Sequence, residues 1–132
     1  MQQRVFIEAN SQLHIFYVSE ILAIKADGNY SVVVLENGDE ILVVKQLGAI
    51  EAGINVQLYE NSPLIRVGRS LIINMGYVAG INPGKEKGLT MRSPGSKVKI
   101  ALDAPKEALK SLGEHIKNVM THELKIQCVP EK

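Results

Sequence analysis

Residues 64–74 read LIRVGRSLIIN, and two arginines, Arg66 and Arg69, stand inside this otherwise apolar run with Ser70 directly behind them. The pattern is that of a short strand delivering cationic side chains to a turn. An unpaired guanidinium in a buried strand is costly, so each of the two must reach solvent, an acid or a phosphate. They are placed to bind something anionic. The competing reading is an edge strand whose arginines only keep the sheet soluble.

Charge around this stretch favours the first reading. Residues 1–60 carry three basic and eight acidic side chains, whereas residues 61–102 carry seven basic side chains against Glu86 alone. The whole chain is nearly neutral, at +1, so the basic span is a local feature of the kind that faces a polyanion. Mutual neutralisation of the two halves across the fold is the alternative.

Upstream, 4–9 and 12–18 read as a hairpin around Asn10-Ser11. Runs 21–26, 30–35 and 40–44, separated by Asp27-Gly28-Asn29 and Asn37-Gly38, read as a three-stranded antiparallel meander with one turn at each end, because Asp-Gly and Asn-Gly are strong hairpin signals. Leu47, Ile50 and Ile54 change the period to that of a short helix over 45–54, plugging one face of the sheet. Downstream, Tyr77–Ile81, Gly88–Met91 and Lys97–Leu102 are expected strands, with Lys97 and Lys99 alternating with aliphatic residues on a solvated or anion-binding face. Lys85 and Lys87 lie in the Asn82-Pro83-Gly84 loop. Leu109, Leu112, Ile116 and Val119 form the stripe of a helix over 105–119, with Asp103 placed at its N-terminus. The tail 123–129 is expected to add an edge strand or fray. The result is a mainly β (α+β) chain of single-domain size.

Other chemistries are poorly served. Gly80 to Lys85 resembles a P-loop superficially, but the glycine spacing is one short and Glu86 stands where Ser or Thr must meet magnesium. His115, His122 and Cys128 match no common zinc spacing, and a lone cysteine fits a reducing cytoplasm. Asn29-Tyr30-Ser31 is a glycosylation sequon without a secretory signal to go with it. An enzyme, a cofactor, a metal and membrane insertion are therefore not expected.

Ile65-Arg66-Val67-Gly68-Arg69-Ser70 followed by Ile72-Ile73-Asn74 and Tyr77-Val78 resembles the signature of the LytTR family of bacterial DNA-binding domains, in which a strand ending R-V-H-R-S precedes an I-V-N segment. Ile21–Lys25, Gly28-Asn29-Tyr30, Val32–Leu35 and Asn37-Gly38 resemble that family's first long hairpin, and Leu47 with Ile50-Glu51 its single helix. The resemblance covers about 13–102, leaving the C-terminal helix and tail, 105–132, beyond it. It implies short antiparallel sheets with one internal helix, no recognition helix, and loops inserted into the major groove of double-stranded DNA. Carried over residue by residue, the DNA contacts are Asn29 in the first turn and Arg66, Gly68 and Arg69 in the second. The family's third contact region is the start of the last segment; Lys97 and Lys99 lie near it on grounds of charge, and Lys85 and Lys87 serve phosphates.

Two departures stand out. Gly68 replaces the histidine of many members, and Leu102-Asp103 replaces a serine-arginine pair, so that an aspartate would face phosphate. Members usually follow a receiver domain, and only about a dozen residues precede the match here, so the expectation is a stand-alone transcription regulator, binding as a homodimer on a repeat and controlled by a protein partner, by its own level or by a membrane protein. The rival is a protein-interaction module that has kept the fold and lost DNA readout, with the C-terminal helix as its working surface.

Overall fold

The computed structural model describes residues 3–127; Cys128 and the end of the expected tail lie outside them. Strands β1 (Arg4–Ala9) and β2 (Gln12–Tyr17) pair as a hairpin in which Phe6 faces Ile15. Asn10 and Ser11 take φ of 50° and 68°, the left-handed pair that a two-residue hairpin turn needs. The meander follows as β3 (Ile21–Asp27), β4 (Tyr30–Leu35) and β5 (Glu40–Val43). Then come α1 (Leu47–Leu58), β6 (Leu64–Val67) and β7 (Leu71–Asn74). The chain ends in β8 (Val78–Ile81), β9 (Leu89–Met91), β10 (Ile100–Leu102) and α2 (Lys106–Gln127).

All pairing is antiparallel, in a five-stranded sheet ordered β5-β4-β3-β7-β6, a three-stranded sheet ordered β10-β9-β8, and the β1–β2 hairpin. The five-stranded sheet is buried on both faces. Ile24, Ile72 and Leu64 on one face pack with the hairpin (Val5, Ile7, Phe16) and α1 (Leu47, Ile50, Ile54, Leu58). Ala23, Ile73 and Val67 on the other pack with Leu89, Met91 and Leu102 of the small sheet and with Leu109 and Leu112 of α2. Strict alternation would send Ile21 and Ala23 to one face, but a register shift between them turns both Leu22 and Ala23 toward the second core. Asn74, buried at the end of β7, donates to the Val18 and Ile21 carbonyls at 3.3 and 3.1 Å and so fastens the chain entering β3.

The two ends of the five-stranded sheet are chemically different. At one, here called the Gly28 end, lie the β3–β4 turn, the β6–β7 turn and the start of α1: Ala26 N–H donates to the Ser70 carbonyl at 2.9 Å, and Gln46 donates to Asn29. At the other, the Gly38 end, the β4–β5 turn is bound by 93–98. There the Ser93 hydroxyl donates to Glu36 Oε1 at 2.8 Å and the Ser96 hydroxyl donates to the Glu36 carbonyl at 3.0 Å.

Several boundaries differ from the sequence expectation, for reasons of tertiary contact. Helix α1 runs one turn past Ile54 because Leu58 reaches the core and Gln57 is held by β1, its amide accepting from Phe6 N–H and donating to Phe6 carbonyl, both at 2.9 Å. Strand β10 begins only at Ile100: Lys97 and Lys99 are exposed on either side of half-buried Val98, but 96–99 is tied to the β4–β5 turn instead of to a strand. Helix α2 continues to Gln127, where an edge strand or fraying was expected. Asp103 does not cap it; its Oδ1 accepts the Lys87 N–H at 2.6 Å.

Candidate nucleic-acid interface

The β6–β7 turn is built by three constraints. Gly68 sits at φ 66°, and a Cβ placed on it would lie 3.0 Å from Pro105 Cδ and 3.9 Å from Ala108 Cβ. Only glycine satisfies both the left-handed backbone and the close approach of α2. A side chain at the position that a histidine occupies in the resembling motif would thus meet Pro105 and Ala108 at the start of α2.

Arg66 is the second constraint. Strand alternation gives it the face of Leu64, toward α1, where Nη1 donates to Glu51 Oε1 at 2.6 Å and Nη2 donates to the Arg69 carbonyl at 2.7 Å. It thereby brackets helix and turn together. Its Nε is buried without a hydrogen-bond partner. The third constraint is the Ala26–Ser70 bond to β3.

With its carbonyl held by Arg66, Arg69 is left with an exposed side chain that takes no ion pair among the described residues. Beyond β7 and β3, Asn29 is exposed in the β3–β4 turn, its Oδ1 accepting from Gln46 Nε2 at 3.1 Å. The two turns are centred two strand spacings apart, about 10 Å. Gln46 is the N-cap of α1, gives no side-chain cap, and is followed by a first turn without acidic residues. The free N–H groups and positive dipole end of α1 therefore open onto the same surface. Sequence reasoning missed Gln46; its place directly before Leu47, the first apolar residue of the helix, was the signal.

Lys85 and Lys87 are exposed in the β8–β9 loop, which Asp103 draws toward this end: Asp103 lies two residues before Pro105, which rests on Gly68. The Asp103 carboxylate is thus engaged with backbone beside two lysines. Asp27 remains an exposed acid at the same end. Lys97 and Lys99 are not brought together with these groups. They precede β10 at the Gly38 end, a six-residue strand away, which is roughly 20 Å.

If Arg66 acts as a bracket, Glu51→Ala is expected to lower stability by about 1 kcal/mol and to weaken specific DNA binding, although it removes a negative charge. Denaturant melts and fluorescence anisotropy check both. Tighter binding by Glu51→Ala would instead show a released Arg66 reaching DNA directly.

The family model for the LytTr DNA-binding domain matches residues 11–116. The match starts within the first hairpin and runs past Leu102 to Ile116, so the first half of α2, expected to lie outside it, is inside. A solved LytTr DNA-binding domain from Bacillus cereus is similar over 89% of this chain and 95% of its own, with 15% identity and a TM-score of 0.48. Among curated proteins none matches. No helix among the described residues is long and apolar enough to cross a membrane.

Proposed function

The chain belongs to the LytTr DNA-binding domain family, and on that premise we propose that it is a sequence-specific transcription regulator that sets its β3–β4 and β6–β7 turns into the major groove of a short repeat, one protomer per half-site. The observation that carries this is the convergence, at the Gly28 end, of Asn29, an exposed Arg69 without an ion pair among the described residues, and the acid-free N-terminus of α1. Two turns about 10 Å apart fit an opening of about 12 Å, where Arg pairs with guanine and Asn with adenine. Gly68 and Arg66 shape the second turn. Lys85 and Lys87, with the N–H groups of α1, take phosphates.

Selection from random duplexes, with anisotropy at several salt concentrations, tests the reading. An enriched repeat with half-sites about one helical turn apart is the expected result. Replacing Lys85 and Lys87 together by alanine should flatten the slope of log affinity against log salt by about 1.8, at 0.9 per phosphate. Replacing Lys97 and Lys99 together should leave it unchanged, and the reverse pattern would move the interface to the Gly38 end.

The second reading is the protein-interaction module. It draws on a groove of about 720 Å³ between β8 and α2, lined by Val78, Ile81, Leu109 and Ile116 among others. Absence of any duplex binding at low salt would overturn the DNA reading in its favour.

A further inference from the structure

The β1–β2 hairpin is apolar on both faces. Val5, Ile7, Ala9 and Phe16 point into the core. On the outer face Phe6 is 50% exposed, Leu13 55%, Ile15 54% and Tyr17 44%, while the inward-facing positions of β2 other than Phe16 are Gln12 and His14. Strands that carry aliphatic side chains on both faces are those covered on both. Here the inner cover is the five-stranded sheet and α1, and no outer cover is present among the described residues.

The outer face has a charge at each end of β1. Arg4 lies opposite Tyr17, with its guanidinium carbon 5.7 Å from that ring, and Glu8 lies opposite Leu13. Phe6 and Ile15 form the middle pair. A twofold axis crossing the strands at this middle pair sets Arg4 over Glu8 of a second copy, Phe6 over Phe6, Ile15 over Ile15, and Leu13 over Tyr17. An axis running along the strands would put Glu8 on Leu13 with no cation near it. The face is self-complementary under the first operation only.

We infer that the outer face of the β1–β2 hairpin is an interaction surface for a second copy of this chain, docked face to face with the hairpins antiparallel. The pairing is isologous and forms without DNA. Resting on the DNA reading above, it has one consequence. The hairpin turn lies at the Gly28 end, where Lys45 Nζ donates to the Glu8 carbonyl at 2.9 Å, so antiparallel docking points the two candidate DNA surfaces in opposite directions. Such a dimer joins two duplex segments and does not clamp one.

Sedimentation equilibrium of the full chain in the absence of DNA tests the pairing. The wild type should associate with a concentration-dependent mass approaching two copies, and Ile15→Asp, an exposed site, should remain monomeric while melting as the wild type does at concentrations low enough that the wild type is monomeric too. Arg4→Glu and Glu8→Arg should each weaken association about tenfold or more, since each places like charges together at two symmetry-related points. The double swap, R4E with E8R, should regain it. A wild type that stays monomeric throughout, an Ile15→Asp variant that still pairs, or a double swap no better than the single ones would overturn the proposal. None of these readings involves DNA, so they leave the DNA reading to its own test.

Discussion

Gly68→Val is expected to destabilise the fold by about 3 kcal/mol, the sum of a left-handed backbone held by a branched residue and an overpacked contact with α2. The two terms have separate sources. Gly68 takes φ 66°, which costs any L-residue about 1–2 kcal/mol. Its missing Cβ leaves the space that Pro105 enters, at 3.0 Å from where that atom would be. Gly68→Ala carries the first term and the smaller part of the second, so it should fall between wild type and valine. Chemical denaturation of the three proteins measures the series. A valine variant within about 0.5 kcal/mol of wild type, the range of ordinary surface substitutions, would mean that α2 does not rest on this turn.

Arg69→Ala should leave stability nearly unchanged and cost about 1–3 kcal/mol on the selected site, or roughly 5- to 150-fold in affinity, if the guanidinium pairs with a base edge. The side chain supports this separation of effects, because it is exposed and takes no ion pair among the described residues. Arg69→Lys sharpens the test, since it keeps the charge and loses the two-pronged donor. Lysine restoring full affinity, or alanine losing as much on random duplexes as on the selected site, would reduce Arg69 to a phosphate contact.

How much of this could be read in the chain depended on the range of the interactions. The meander and the hairpins followed from Asp27-Gly28-Asn29, Asn37-Gly38 and Asn10-Ser11, because turn chemistry is local. The last turn of α1 did not, since Gln57 is held by Phe6, 51 residues away. The pairing of Arg66 with Glu51 was half legible: alternation from Leu64 sends Arg66 to the helix side, but nothing in the sequence sets which helix residue meets it. Charge alone grouped Lys97 and Lys99 with Lys85 and Lys87, and charge carries no direction. It took the Ser93 and Ser96 bonds to Glu36 to put the first pair at the opposite end. Asp103, which looked like an acid facing phosphate, holds the Lys87 backbone.

Strands β3 and β7 are hydrogen-bonded neighbours; β3 runs directly into one of the two turns at the Gly28 end and β7 directly out of the other, with Ala26 joined to Ser70 at that end of the sheet. The turns therefore behave as marks on one ruler, with a separation set by strand spacing and not by loop flexing. A duplex held there could not absorb an inserted base pair between the bases that each protomer touches, because one step along a strand is about 3.4 Å and the sheet does not stretch. Length variation among operators would have to fall in the spacer between half-sites, where only protomer-to-protomer geometry is at stake. On the proposed reading, the frame of each half-site would be inherited from the hydrogen-bond register of the sheet.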